Sequence, residues 1–210
     1  MRKFYLVLVS AAFGILNVHS VSAAIEGEGP YFHVDGGVAW LQDFDANIAD
    51  LPGRLHLDPG FRLSIGPGYT LYSSSSFEAA VQFETGFIYN KLNRFDSIDY
   101  GPLSARGEYW QIPFLADILY TFKIGPVVVP YIGVGGGGVY GRMSVDSLDD
   151  QPIGGRNSET DGAFQAMAGV RFRLDEQNEL GVGYKFLATF PEGVDYIGTH
   201  SISLVYVLRF

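Results

Sequence analysis

Few residues in this chain carry reactive chemistry, and their spacing limits what they can do. The histidines beyond the first two dozen residues are His33, His56 and His200, and only His200 has hydroxyls beside it in sequence, on Ser201 and Ser203. A His, a Ser and a carboxylate form an acyl-transfer group when they lie within hydrogen-bond reach of one another. The sequence assigns no acid to this pair, so a histidine that only hydrogen-bonds at the rim of a strand is expected. Asp43, Asp45 and Asn47 begin like a calcium loop, but Ile48 stands where such a loop needs its turn glycine and Arg54 where it needs a bidentate Glu. A solvated acidic loop is the expectation there, and also around Asp146, Asp149, Asp150, Glu159 and Asp161. Gly133 to Gly138 formally matches G-x-G-x-x-G, yet Val139 and Tyr140 continue a strand where a dinucleotide site requires a helix. No cofactor, no metal and no enzymatic site are expected.

The elements that would position these groups read as strands, because apolar and polar residues alternate at period two over eight stretches. They cover residues 31–42, 57–69, 77–89, 110–122, 128–140, 164–174, 180–190 and 200–210. Along them one face carries large apolar groups, such as Trp40, Phe61, Phe83, Phe114 and Tyr184, and the other carries Gly, Ala, Ser and charges. The charges on that second face are Asp35, Arg62, Glu78, Glu84, Asp117, Arg171, Arg173, Lys185 and Arg209. The final stretch puts Ile202, Leu204, Tyr206, Leu208 and Phe210 on one face and stops on an aromatic residue. Pairing it with the first strand would close a barrel and remove the open edges, which a bilayer does not tolerate. Pro67, Pro113 and Pro130 cannot donate to a ladder, so bulges are expected at them.

Composition agrees with such a barrel. The chain has 210 residues, 27 of them Gly, and 15% aromatics, which suits one domain of twisted strands. Residues 1–23 read as a cleavable signal peptide: Arg2 and Lys3, an apolar core from Phe4 to Leu16, then Val21, Ser22 and Ala23 as a small-residue cleavage site. Residues 24–210 form the barrel domain. Zero cysteine excludes disulfides and thiolate metal sites. With Arg2 and Lys3 gone, the 14 basic residues fall to 12 against 23 acidic ones, a net charge near −11, and a nucleic-acid partner is excluded by that sign.

Connections alternate in length. Short ones lie at 70–76, 123–126 and 175–178, and long ones at 43–56, 90–108, 141–161 and 191–199, the arrangement of periplasmic turns and mobile extracellular loops. With that orientation the aromatic residues fall into two rings flanking an aliphatic band. A soluble carrier with its apolar face inward is excluded by volume, since an eight-stranded interior cannot hold that many rings. Charges inside so narrow a barrel must pair, which predicts a plug rather than a pore.

The export signal, residues 58–69, 111–113 and 130–135, and the terminal Leu208, Arg209 and Phe210 together resemble the eight-stranded outer-membrane β-barrel family that includes the OmpA transmembrane domain, OmpX and the opacity-type surface proteins. That resemblance implies an all-β, antiparallel, up-and-down transmembrane barrel in the bacterial outer membrane. Its partners would be outer-membrane lipid, lipopolysaccharide and the barrel-assembly machinery, which reads the alternating apolar C-terminus, and it would be a monomer. It implies a structural or surface-interaction role, with the loops meeting a host or surface ligand. A narrow channel and a lipid-modifying enzyme are the alternatives.

Overall fold

The computed structural model describes residues 28–48, 51–192 and 195–210. The signal peptide expected over residues 1–23 lies outside the described residues. Ten strands form one antiparallel sheet: β1 (Gly29–Leu41), β2 (Phe44–Ile48), β3 (Leu51–Leu57), β4 (Gly60–Ser73), β5 (Phe77–Ser97), β6 (Gly101–Phe122), β7 (Val128–Leu148), β8 (Gln151–Arg173), β9 (Asn178–Phe190) and β10 (Ile197–Arg209). Leaving aside the β2–β3 hairpin, the other eight close on themselves in the order β1, β4, β5, β6, β7, β8, β9, β10. β10 pairs with β1 from Tyr31↔Arg209 to Leu41↔Thr199, so the closing strand is the last one.

The wall is inverted relative to a soluble protein. Phe83, Phe114 and Tyr206 are outward and exposed, whereas Asp35, Arg62 and Glu84 are buried inside. A bilayer rewards this directly, since it solvates apolar groups and offers no partner to polar ones. Aromatic contacts run round the outer interface through Phe61, Phe87, Tyr89, Trp110 and Tyr140, and again through Trp40, His200 and Phe186. Tyr72, Phe77 and Tyr120 form a similar contact at the inner one. Trp110 and Tyr120 of β6 lie about 33 Å apart along the strand, or about 25 Å along the normal at the usual barrel tilt, which is the height of a lipid-facing band.

Two expectations are corrected. The prolines make no bulges: Phe32↔Pro67, Pro113↔Val139 and Pro130↔Val170 are all in register. A proline lacks a single donor, which points to one neighbour only, so the ladder opens on that side without slipping. The irregularities fall instead at His56/Leu57, Thr70/Tyr72, Leu92/Arg94, Arg106/Gly107 and Val145/Ser147.

The second correction concerns the loops. Three of the four long connections are strand, not loop, because β5–β6 pairs up to Ser97↔Gly101, β7–β8 up to Leu148↔Gln151, and β2–β3 continues the β1–β4 hairpin up to Ile48↔Leu51. Asp149 and Asp150, both at positive φ (46° and 61°), make the two-residue turn between β7 and β8. On the periplasmic side, Asp175 Oδ1 caps its turn by accepting the N–H groups of Gln177 and Asn178, both at 2.8 Å. These bonds, the Gln177 one foremost, hold its carboxyl below the ordinary range.

Candidate functional site

The interior is stacked in layers, and each layer follows from which inward residues the closed register brings to one height. At the periplasmic mouth, Glu179 meets Arg209 at 3.0 Å, Arg171 at 3.3 Å and Arg173 at 3.5 Å. Glu78 there meets Arg209 at 3.0 Å, Lys123 at 3.1 Å and Arg173 at 3.6 Å. Above it, Tyr31, Leu119, Tyr131, Met167 and Val207 form an apolar layer, with the Arg171 guanidinium 4.8 Å from the Tyr131 ring centre.

The central layer is the most highly charged. Glu84 takes both Arg62 and Lys185, and Lys185 Nζ also donates to Asp35 Oδ2 at 2.6 Å. Arg62 donates to Gln165 at 2.6 Å and to Ser64 at 3.0 Å. Asp117 accepts from Gln82 at 3.0 Å and from Gln165 at 3.4 Å. His33 Nε2 lies 3.8 Å from Glu84, and a cavity of about 20 Å³ beside His33, Asp35 and Lys185 has room for one water molecule. His33, Asp35 and Glu84 bring donor atoms within 4.8 Å of one another, but the Lys185 ammonium already takes the place a metal cation would fill. Gly135 makes room for this layer, since a Cβ there would fall 1.8 Å from Asp117 Oδ1. Gly135→Ala should therefore destabilise the barrel by about 1–3 kcal/mol through overpacking, read as a lower urea midpoint in lipid vesicles; an unchanged midpoint would contradict the contact.

Ala39, Ile88, Leu115, Val139 and Leu187, all at 0–1% exposure, then seal the bore. A thin polar layer follows, in which Gln111 donates to the Tyr109 hydroxyl at 3.0 Å and Asn90 donates to the carbonyls of Ala39 and Asp58. Beyond the outer aromatic ring the pattern reverses. The inward side chains become apolar, with Phe44, Ile48, Leu55, Leu92, Phe95 and Val145 packed into a core, and the outward ones become polar. The bulges assist this, because Leu92 and Phe95, or Val145 and Leu148, are three apart in sequence and still share the interior.

This upper core is incomplete on one side. β9 ends at Phe190, opposite Gly162, and β10 begins at Ile197, while β8 continues to Gln151 and β2 continues β1. Between β2 and β8 there is a cavity of about 410 Å³, lined by Phe44, Ile48, Tyr109, Met143, Val145 and Ile153 and edged by Asp45, Glu159, Asp161 and Glu192, with Arg156 as its basic lining residue. That volume is in the range of ligand clefts. Burial, and then the Glu159 charge, hold the Asp161 carboxyl above its ordinary range.

The remaining sequence candidates fall as follows. His200 lies on the outer wall, stacked on Trp40 at 5.7 Å and bonded through Nδ1 to the Tyr184 hydroxyl at 2.6 Å, while Ser201 and Ser203 are buried inside. Adjacent strand positions face opposite sides, so these three cannot form one catalytic group. Asp45 pairs with Arg54 at 3.2 Å and Asp43 lies 2.8 Å from His56 Nδ1, so both calcium-like carboxylates already have partners. Gly133 to Gly138 lie within β7. Ile202, Leu204, Tyr206 and Phe210 face outward and Leu208 is half-buried, with Phe210 N donating to the Pro30 carbonyl at 3.1 Å. Sequence reading missed Glu179, which fell between the 175–178 turn and the strand from 180, and Lys123, placed in the 123–126 turn; continuing the alternation one residue beyond the apparent strand ends finds both.

The family model described as outer membrane protein β-barrel domain matches residues 8–210. A search of curated proteins returns no match. Among solved structures, Neisserial surface protein A is similar at 19% identity over 87% of this chain and 97% of its own, with a TM-score of 0.51. The outer membrane protease OmpT of Escherichia coli has 6% identity over 90% and 99%, TM-score 0.56. Ail, the attachment invasion locus protein of Yersinia pestis, has 16% over 87% and 99%, TM-score 0.45, in a complex with the heparin analogue sucrose octasulfate. Likeness at such identities establishes the fold alone.

Proposed function

The chain belongs to the outer membrane protein β-barrel domain family and resides in the bacterial outer membrane, and from that premise we propose that it is a non-enzymatic surface-interaction protein. Its working part is the β-structured extension above the membrane. The observation that carries this is the apolar core of that extension, from Phe44 to Leu148, which makes the projecting hairpins a rigid platform instead of loose loops. The β-structure stands well clear of the lipid and ends in the incomplete, acidic-edged cleft.

Trimming tests the reading. Ser144 and Arg156 are paired across the β7–β8 hairpin, so replacing residues 145–155 by Asn-Gly recloses it with a two-residue turn. The shortened protein should keep the heat-sensitive gel mobility of a folded barrel, while adhesion of bacteria displaying it to a host-cell layer falls to that of cells lacking the protein. Undiminished adhesion would contradict the role.

The channel reading is disfavoured by the two apolar layers, of which the Leu115 and Leu187 layer is fully buried. Planar-bilayer recordings of the purified protein should be silent across many insertions; a steady single-channel current would restore that alternative.

A further inference from the structure

The upper cavity holds two carboxylates that the fold leaves unanswered. The β7–β8 register sets Glu159 opposite Gly141 and Asp161 opposite Val139. Directly paired residues share a face, and Val139 is buried inside, so both acids point inward, to the same side as the apolar floor. Arg156 lies three residues before Glu159 and five before Asp161, odd separations that turn its side chain to the opposite face of β8. Asp45 at the border is already held by Arg54. Among the described residues, Glu159 accepts from Asn157 at 2.7 Å, and neither Glu159 nor Asp161 is paired with a cation.

Tyr109 supplies an independent buried polar group. It is 7% exposed and lines the same cavity, and its hydroxyl sits over Gly141, where a Cβ would fall 3.2 Å from it. Because Gly141 is the partner of Glu159, the hydroxyl lies beside the two acids. It accepts from Gln111 Nε2 at 3.0 Å but donates to no described residue, whereas a buried tyrosine O–H normally finds an acceptor. Its ring and that of Phe44, 6.4 Å apart and tilted by 52°, give the cavity an aromatic corner. The rest of the floor is Ile48, Met143, Val145 and Ile153. At about 410 Å³ the space suits one small molecule.

Such a molecule must bring a positive charge, a hydrogen-bond acceptor and an apolar body. A fatty acid covers the floor but sets its own carboxylate against Glu159 and Asp161. An inorganic cation answers the acids and leaves the floor bare, and a polyamine lays charge on apolar side chains. We propose that the upper cavity binds a small organic cation of the 2-amino-alcohol class, with an apolar ring as its body. The ammonium meets Glu159 and Asp161, the oxygen on the neighbouring carbon accepts from Tyr109, and the ring packs on Phe44 and Met143. This goes beyond the surface-interaction reading and does not depend on it.

The test uses the mature full-length protein in phosphatidylcholine nanodiscs, titrated with para-trifluoromethyl phenylethanolamine and followed by fluorine NMR against empty nanodiscs. The amino alcohol should bind. Replacing its ammonium by a hydroxyl, to give the diol, should weaken binding about tenfold or more, because hydrogen bonds between charged groups are lost. The double variant Glu159→Gln, Asp161→Asn should weaken the amino alcohol by a similar factor and leave the diol unchanged. Tyr109→Phe keeps the ring and should weaken the amino alcohol about threefold or more, with no effect on the corresponding phenylethylamine, which lacks the oxygen. Equal binding of amino alcohol and diol would overturn the proposal, as would tighter binding of the corresponding mandelate, indifference to the loss of both acids, or binding no greater than to empty nanodiscs. An equal effect of Tyr109→Phe on both amines, or none on either, would overturn the placement of the oxygen. Heat-sensitive gel mobility shows which variants are folded, and the comparison of ligands on the unaltered protein decides the matter even where a variant does not fold. Adhesion after the 145–155 replacement is a separate measurement, and neither result decides the other.

Discussion

Glu84→Ala should cost the barrel about 3–5 kcal/mol of unfolding free energy, because it strands the buried Arg62 cation and leaves Lys185 with one carboxylate instead of two. Glu84 is fully buried and accepts both Arg62 and Lys185. Asp35 still engages Lys185 after the change, but Arg62 is left with Gln165 and Ser64, neither of which is charged. The sign of the effect belongs to the stranded charges and not to an intrinsic benefit of the pairs. Replacing the whole group with apolar residues of like volume, Glu84→Leu and Asp35→Leu with Arg62→Met and Lys185→Met, should therefore return much of the loss. Urea titration in phospholipid vesicles, scored by the gel mobility of folded protein, measures both. A loss under about 1 kcal/mol for Glu84→Ala would mean that water reaches the central layer.

The second large effect is on the opposite face. Leu204 is 65% exposed, mid-strand on β10, paired with Gly36 and Val182. Leu204→Arg would place a cation in the hydrocarbon and should cost about 2–4 kcal/mol. The same cation at Asn93, exposed above the outer ring, should change stability by less than about 0.5 kcal/mol. Equal effects at the two positions would contradict the placement of the membrane band.

The eight strands and their inward and outward faces were legible because a half-buried strand repeats every two residues, and Phe83, Glu84 and Thr85 announce their sides by type alone. The pairing was not. Nothing in the sequence says that Glu84 meets Arg62 of β4 and Lys185 of β9, since those contacts are set by the register of a closed sheet. The extension was illegible for a different reason. From Lys91 to Asp96 the inward residues are Leu92 and Phe95, and a bulge between them breaks period two where it was being read. In the β7–β8 hairpin, exposed Gly, Ser and Asp residues outnumber the few inward apolar ones, so the composition resembles a loop. The cleft depends on strands that stop at Phe190 and Ile197 while their neighbours continue, a property of lengths compared across the sheet and not of any one segment.

The most direct test is a spin-label scan of β5 from Gln82 to Ser97 in phospholipid vesicles, with oxygen and a water-soluble nickel complex as relaxation agents. A lipid-facing barrel that continues upward as strands should give oxygen access at Phe83, Phe87 and Tyr89 and minima at Gln82, Glu84 and Ile88. Beyond Asn90 the nickel complex should reach Asn93, Arg94 and Asp96 but neither Leu92 nor Phe95. Uniform access to the nickel complex from Lys91 onward would show a loose loop instead of an apolar-cored extension, and oxygen maxima at Glu84 and Ile88 would turn the wall inside out.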